Sequence, residues 1–206
     1  MSGFQCIAAL GGWEGYRVGT VERFEAGSKG KRPQVWIELL PHVGLPMRCS
    51  GCGRFQSRVH DTSERWVRDL PVFDAETHLL IHRRRVACER CGPKLERLDW
   101  LDRYARVTQR LAESVARLCS VLPVKHVVGF YGLSWDQVKR IDKTHLETTL
   151  GPVDLEGVEV VIMGEFALHK GHRYATVVAQ PSTKQVLWVG RGRSREEIRP
   201  FFELLG

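Results

Sequence analysis

Four of the six cysteines in this 206-residue chain fall in two pairs, Cys49-Ser50-Gly51-Cys52 and Cys88-Glu89-Arg90-Cys91. Thiolates at i and i+3 on a tight turn can both reach one ion. Two such pairs complete a tetrahedron around Zn2+ and leave no open position for a substrate. Cys49, Cys52, Cys88 and Cys91 are therefore expected to hold one structural Zn2+. A redox role fits less well, because no βαβ pattern surrounds either pair. Gly53 and Gly92 follow the pairs, where a residue without Cβ lets backbone N–H groups approach the sulfurs. His42 and His60 could compete as ligands but read more simply as surface residues. Cys6 and Cys119 lie in apolar stretches and read as core. The start of the chain shows no basic region ahead of an apolar run, so no leader is expected and a reducing, cytoplasmic compartment is the default.

The second chemistry is cationic. The formal net charge is +7 with 31 Lys+Arg against 24 Asp+Glu. Residues 48–145 hold 19 of those basic residues and 12 of the acidic ones, so the whole excess sits in the middle of the chain. Such a localised excess points to a polyanion, DNA above all. Arg83, Arg84 and Arg85 follow one another in a strand-like stretch, where alternate side chains project to opposite faces; each is expected to meet a phosphate. Residues 124–146 carry the other basic group. Two helical stretches flank Gly132-Leu133, and Ser134 is placed to cap the second. In a helix-turn-helix the second helix enters the major groove. Val138 and Ile141 would then pack inward, Gln137 and Arg140 would face base edges, Lys139 and Lys143 would meet phosphates, and Trp135 would stand at the helix start.

These groups need scaffolds. Residues 16–24 and 34–40 read as a hairpin, and residues 64–70 and 76–86 as antiparallel strands joined at Pro71-Val72-Phe73-Asp74. Two knuckles joined in this way make a zinc ribbon. Over residues 103–122 apolar side chains recur at three and four, the mark of an amphipathic helix, which Pro123 ends. Residues 149–156 read as a linker. Residues 158–163, 173–178 and 185–190 read as a three-stranded meander, and Ser194 caps a last helix over residues 195–205. The fold class is α+β and multidomain, with a β-rich zinc-binding domain (1–98), a helix-turn-helix domain (99–148) and a third segment (157–206). No apolar run approaches the ~18–20 residues of a membrane span, so no membrane partner is expected. In the last segment Glu165 is the only well-placed carboxylate, and His169 and His172 read as a polar turn rather than a metal site.

The order of these motifs resembles ISL3-family insertion-sequence transposases. The likeness runs from the Cys49-Ser50-Gly51-Cys52-Gly53 knuckle through Trp66-Val67-Arg68-Asp69-Leu70-Pro71 and Arg83-Arg84-Arg85-Val86-Ala87-Cys88-Glu89-Arg90-Cys91. It ends in Gly164-Glu165-Phe166-Ala167-Leu168-His169-Lys170-Gly171-His172-Arg173-Tyr174 and Val186-Leu187-Trp188-Val189-Gly190-Arg191-Gly192-Arg193. The resemblance implies a zinc-binding domain, a helix-turn-helix that holds the element's terminal repeats, and an RNase H-like domain using acidic residues and Mg2+. The family pattern after the first catalytic strand is Asp-Glu, whereas this chain has Gly164-Glu165; a later Asp is matched by Gln180. No catalytic residue is therefore assigned. The expectation is a truncated or degenerate transposase, with an incomplete RNase H-like segment, that binds double-stranded DNA at transposon ends in the bacterial nucleoid without cutting alone. Mg2+ enters only if a complete catalytic domain is assembled. The alternatives are an active subunit completed by a partner chain or frameshifted extension, and a regulatory subunit that pairs with itself or with full-length transposase.

Overall fold

Regular alternation of buried and half-buried side chains from residue 75 to 83 marks this stretch as the centre of a sheet with one dry face. The computed structural model describes residues 11–27, 31–171 and 173–205; the expected core cysteine Cys6 and His172 lie outside them. In chain order the elements are β1 (Tyr16–Phe24), β2 (Gln34–Pro41), β3 (Met47–Arg48), β4 (Phe55–Gln56), β5 (Val59–Val72), β6 (Ala75–Cys88) and β7 (Gly92–Leu95). Helices α1 (Gln109–Cys119), α2 (Val124–Tyr131) and α3 (Trp135–Thr149) follow. Then come β8 (Ile162–His169), β9 (Arg173–Ala179), β10 (Val186–Arg191) and α4 (Arg195–Leu205). The main sheet runs β1-β2-β6-β5, with β7 also paired to β6. The β1–β2 and β5–β6 hairpins are antiparallel, and β2 meets β6 in parallel from Gln34↔Glu76 to Leu39↔Ile81. Its dry face carries Tyr16, Val18, Ile37, Leu39, Val67, Leu79 and Ile81, closed by Leu98 and Leu101.

Asp69, on β5, is completely buried. Trp13 Nε1 donates to it at 2.9 Å, Thr108 Oγ1 at 2.6 Å, Arg110 Nε at 2.7 Å and the Leu70 amide at 2.8 Å, and Arg110 adds a second, ion-paired contact. Thr108 is also the N-cap of α1, its hydroxyl accepting from the Leu111 amide. The helix thus starts where the sheet holds its cap. This explains why α1 begins at Gln109 and not at residue 103 as the periodicity predicts. Residues 103–107 form a turn and a bend held against β5: Arg65 donates to the carbonyls of Arg103 and Tyr104, the Arg68 amide donates to the Arg106 carbonyl, and Val107 bridges Arg68. At the other end the helix stops at Cys119, short of residue 122.

Helices α1, α2 and α3 share a core of Val107, Leu111, Val115, Val127, Tyr131, Leu133 and Val138, against which Cys119, Ile141 and Leu70 of the sheet also pack. Cys119 is thus core, as its position predicts. Gly132, between α2 and α3, has φ 63° and its N–H caps the Val128 carbonyl. The left-handed backbone favours glycine, and a Cβ there, 1.9 Å from Glu76 Oε1, would displace that carboxylate. The expected boundary near residue 98 separates two kinds of structure inside one compact unit, Met1–Leu146; a second unit comprises Glu147–Gly206.

In that second unit β8, β9 and β10 form the antiparallel meander, in the order β10-β9-β8. Val178, Leu187 and Phe201 of α4 make its core. The first strand is shifted from the expected 158–163 to Ile162–His169, because the turn at Lys170-Gly171 sets the pairing from His169↔Arg173 back to Ile162↔Ala179. Val158 and Val161 instead pack against the core from outside the strand. Helix α4 carries a reciprocal cap: the Glu197 amide donates to Ser194 Oγ, and the Glu197 carboxylate accepts the Ser194 and Arg193 amides.

Removing the charge at Asp69 leaves Arg110 and its other donors facing a neutral amide. Asp69→Asn is expected to cost about 3 kcal/mol, the scale of breaking a buried ion pair, measured as the loss in urea-unfolding free energy.

Candidate metal centre and nucleic-acid interface

The four cysteines come from two knuckles. Cys49 and Cys52 lie between β3 and β4; Cys88 ends β6 and Cys91 precedes β7. Each turn is closed by backbone. The Cys49 amide donates to the Arg54 carbonyl and the Gly53 amide to the Cys49 carbonyl, both at 2.9 Å, while the Ser50 amide donates to the Leu95 carbonyl at 3.1 Å. Gly53 and Gly92 have φ 74° and 66°. Gly51 matters for another reason: a Cβ there would press on Cys91 Sγ at 3.2 Å. Among the described residues these cysteines are the only group of three or more potential ligands whose donor atoms all lie within 4.8 Å of one another. Cys52 Sγ and Cys88 Sγ are 3.7 Å apart, close to the ~3.8 Å that two sulfurs at ~2.3 Å from one zinc would show in a tetrahedron.

The thiol acidities fit the same reading. Backbone N–H groups of Cys91 and Arg90 draw the Cys88 thiol down to about 7. Cys91 is pushed up to about 12 by its hydrogen bond to Cys52, by burial and by the neighbouring sulfurs. Four sulfurs this close ionise together only around a cation. His42 and His60 are not in the group.

The three consecutive arginines differ from expectation. Arg84 is 6% exposed and forms a buried ion pair with Glu96, donating also to the His42 carbonyl. Tyr16 Oη joins the same carboxylate at 3.3 Å, and burial raises the Tyr16 phenol well above its usual range, with Glu96 adding to the shift. Arg83 is 2% exposed and donates Nη2 to the Glu96 carbonyl at 2.9 Å. Only Arg85 reaches the surface, where Asp61 accepts from it at 2.8 Å. The alternation of the strand breaks at this pair, and Glu96 holds both side chains in the interior, one through its carbonyl and one through its carboxylate, so Arg83 and Arg84 are not surface phosphate contacts. Glu96, the residue that holds both, carries no sequence signal of its role.

Helix α3 presents a different face. Val138 is 0% exposed and fixes the helix against α1 and α2, and Ile141 packs beside it. Trp135 is 51% exposed, and Lys139, Arg140 and Lys143 are all exposed. Gln137 departs from expectation: its Oε1 accepts the Ser134 amide at 3.0 Å while its own amide donates to Ser134 Oγ at 3.2 Å. That is a capping box, and the Ser-x-x-Gln spacing could have revealed it. Its side chain is held at the helix start rather than aimed at a base edge.

In the second unit Gly164 and Glu165 are on β8, and the Glu165 carboxylate lies 4.0 Å from Arg193. Backbone N–H bonds from Ser194 hold the Glu197 carboxyl below its usual range. Gln180 shapes the β9–β10 turn, its Oε1 accepting from Thr183.

Three family models match. Residues 45–91 match the zinc-finger of transposase IS204/IS1001/IS1096/IS1165, residues 96–146 the helix-turn-helix domain of transposase family ISL3, and residues 161–206 an ISL3 transposase model. The transposase for insertion sequence element IS1001 of Bordetella parapertussis is 47% identical over 97% of this chain and 48% of its own length. The transposase for insertion sequence element IS1557 of Mycobacterium tuberculosis is 25% identical over 89% of this chain and 42% of its own. The chain thus spans about half the length of the curated relatives it matches. No solved structure matches it, and among the described residues no helix is long and apolar enough to cross a membrane. With three matched segments following one another in order and nearly half of its residues shared with one such relative, the chain belongs to the ISL3 family of transposases.

Proposed function

We propose that this chain binds double-stranded DNA at transposon ends through α3, in the manner of a helix-turn-helix, on a scaffold stiffened by one structural Zn2+. The observation that carries this reading is α3 itself. Its apolar side is fixed by Val138 and Ile141, and Trp135, Lys139 and Arg140 stand exposed on its first two turns. The first turns of such a helix are those that reach base edges. Arg140 suits a guanine edge, and Lys139 and Lys143 suit phosphates. The zinc supplies no reaction in this role; it pins the β3–β4 knuckle to the end of β6. On this reading the chain works on chromosomal DNA in the nucleoid.

We read residues 157–206 as the opening part of an RNase H-like fold that does not cut DNA by itself. Two-metal phosphoryl transfer needs several carboxylates around ions ~3.5–4 Å apart. Here Gly164 offers no side-chain oxygen, Glu165 faces Arg193, and Glu197 is committed to the α4 cap. A partner chain, including another transposase chain, or further residues would have to bring carboxylates and Mg2+ together.

Three outcomes test this reading. Elemental analysis is expected to find one zinc per chain, and its removal by a strong chelator, or Cys49→Ser, to unfold the knuckle and lower the thermal midpoint; full stability without metal would refute the zinc assignment. Duplex affinity for the element's own ends is expected to fall with salt, and Arg140→Ala to weaken binding about 10-fold, the scale of ~1–3 kcal/mol for one base contact. Binding indifferent to both would refute the DNA assignment. With Mg2+, the chain alone is expected to leave a supercoiled plasmid bearing those ends uncut; strand cleavage would refute the non-catalytic reading.

A further inference from the structure

Phe73 stands at the tip of the β5–β6 hairpin, whose two strands have 14 residues each. Val72 pairs with Ala75, so Phe73 and Asp74 alone make the turn. Phe73 has φ 55° there, a left-handed backbone that such turns normally give to Gly or Asn and that strains a bulky residue. Its ring is 97% exposed. The residue strains the backbone and leaves an apolar ring in water, and packing within the chain offsets neither cost. Outliers of this kind cluster at binding sites.

The surroundings say what the ring meets. A groove of about 750 Å³ lies between the hairpin tip and α2, lined by Phe73, Leu122, Lys125, the exposed Phe130 and Arg32. Two carboxylates also line it, and each already holds an arginine: Asp74 pairs with Arg23 and Glu76 with Arg68, both at 3.1 Å. Arg32 donates to the Phe130 carbonyl at 2.8 Å and to that of Gly129, and Lys125 is exposed. Among the described residues neither cation meets a carboxylate. The unanswered charge beside the ring is therefore positive, which favours a polyanion over the apolar pocket of another protein chain. The place in the fold agrees. In a helix-turn-helix, α2 is the helix that crosses the phosphate backbone. Gly132, which leads from α2 into α3, lies against Glu76 near the start of β6.

We infer that Phe73 is a wedge for double-stranded DNA. Its ring enters the minor groove next to the major-groove site of α3 and opens one base step, while Arg32 and Lys125 hold the flanking phosphates. Apolar wedges of this type unstack a step and kink the duplex. The inference rests on the function proposed above and deepens it. To whatever sequence α3 reads, the wedge adds a bend and a preference for the easily opened pyrimidine–purine steps.

The test uses the full zinc-loaded chain and duplexes of the element's own ends in which 2-aminopurine replaces adenine at one position at a time. The fluorescence of that base rises where stacking is lost. The wild type is expected to raise it several-fold at one or two neighbouring positions. Phe73→Gly suits the left-handed turn, so its thermal midpoint is expected to equal or exceed that of the wild type. Its fluorescence rise is expected to be lost and its affinity to fall about 10-fold, the scale of one stacked base, at an unchanged salt slope. Lys125→Ala is expected to lower the salt slope by about 1 and to keep the rise at saturating protein. Phe73→Asn, which also tolerates that backbone, decides the matter if the glycine variant does not fold. No rise at any position with the wild type, or the same rise and affinity in Phe73→Gly, overturns the wedge and leaves the proposed function standing. A wild-type chain that fails to bind duplex refutes that function and the wedge together. Light scattering covers the rival partner: a wild-type dimer that Phe73→Gly abolishes, with duplex binding unchanged, assigns the ring to a second copy of this chain and overturns the DNA wedge.

Discussion

Donors from the segment before β1, from the cap of α1, from α1 itself and from β5 converge on the carboxylate of Asp69. A carboxylate fully removed from water is tolerated only where its lone pairs are filled, so these contacts come as a set. Thr108 cannot cap α1 in its observed place unless β5 holds Asp69, and Arg110 cannot lie against Trp13, 5.3 Å from ring centre to guanidinium, unless the helix has started there. The sheet and the helices are therefore not independent parts, although two separate family segments describe them. Whatever the face of α3 meets, its orientation is set through α1 by a group on the sheet.

Glu96 does similar work at the other end of the sheet. It gathers Arg84 and Tyr16 through its carboxylate and Arg83 through its carbonyl. The three neighbouring arginines consequently have three different roles: a filled ion pair, a buried cation on a carbonyl, and a surface pair with Asp61. Charge counted along a sequence says where cations are, but the pleat and the available carboxylates decide which of them solvent can reach.

Much of this was legible in advance, and the reason is locality. The cysteine spacing, the hairpin of β1 and β2, the limits of α2, the turn at Gly132-Leu133 and the Ser194 cap all depend on residues a few positions apart. What was missed depends on distant pairs. Trp13 and Asp69 are 56 positions apart, and Thr108 and Asp69 are 39 apart; no period or spacing announces such a pairing. The late start of α1 follows from it, since periodicity over residues 103–108 was overridden by Arg65 and Arg68 binding their carbonyls. The role of Gln137 was readable in principle, because a capping box is local. The shift of β8 shows the opposite case, in which a tight turn outweighed an apolar run.

The length of β6 has a geometric consequence. Its 14 residues run from Ala75, beside the turn between α2 and α3, to Cys88 in the metal centre. At ~3.3 Å per residue the strand spans at most about 45 Å. Paired on both sides for much of its length, it acts as a fixed ruler: the distance between the knuckles and the helical bundle is written into the number of residues in a single strand.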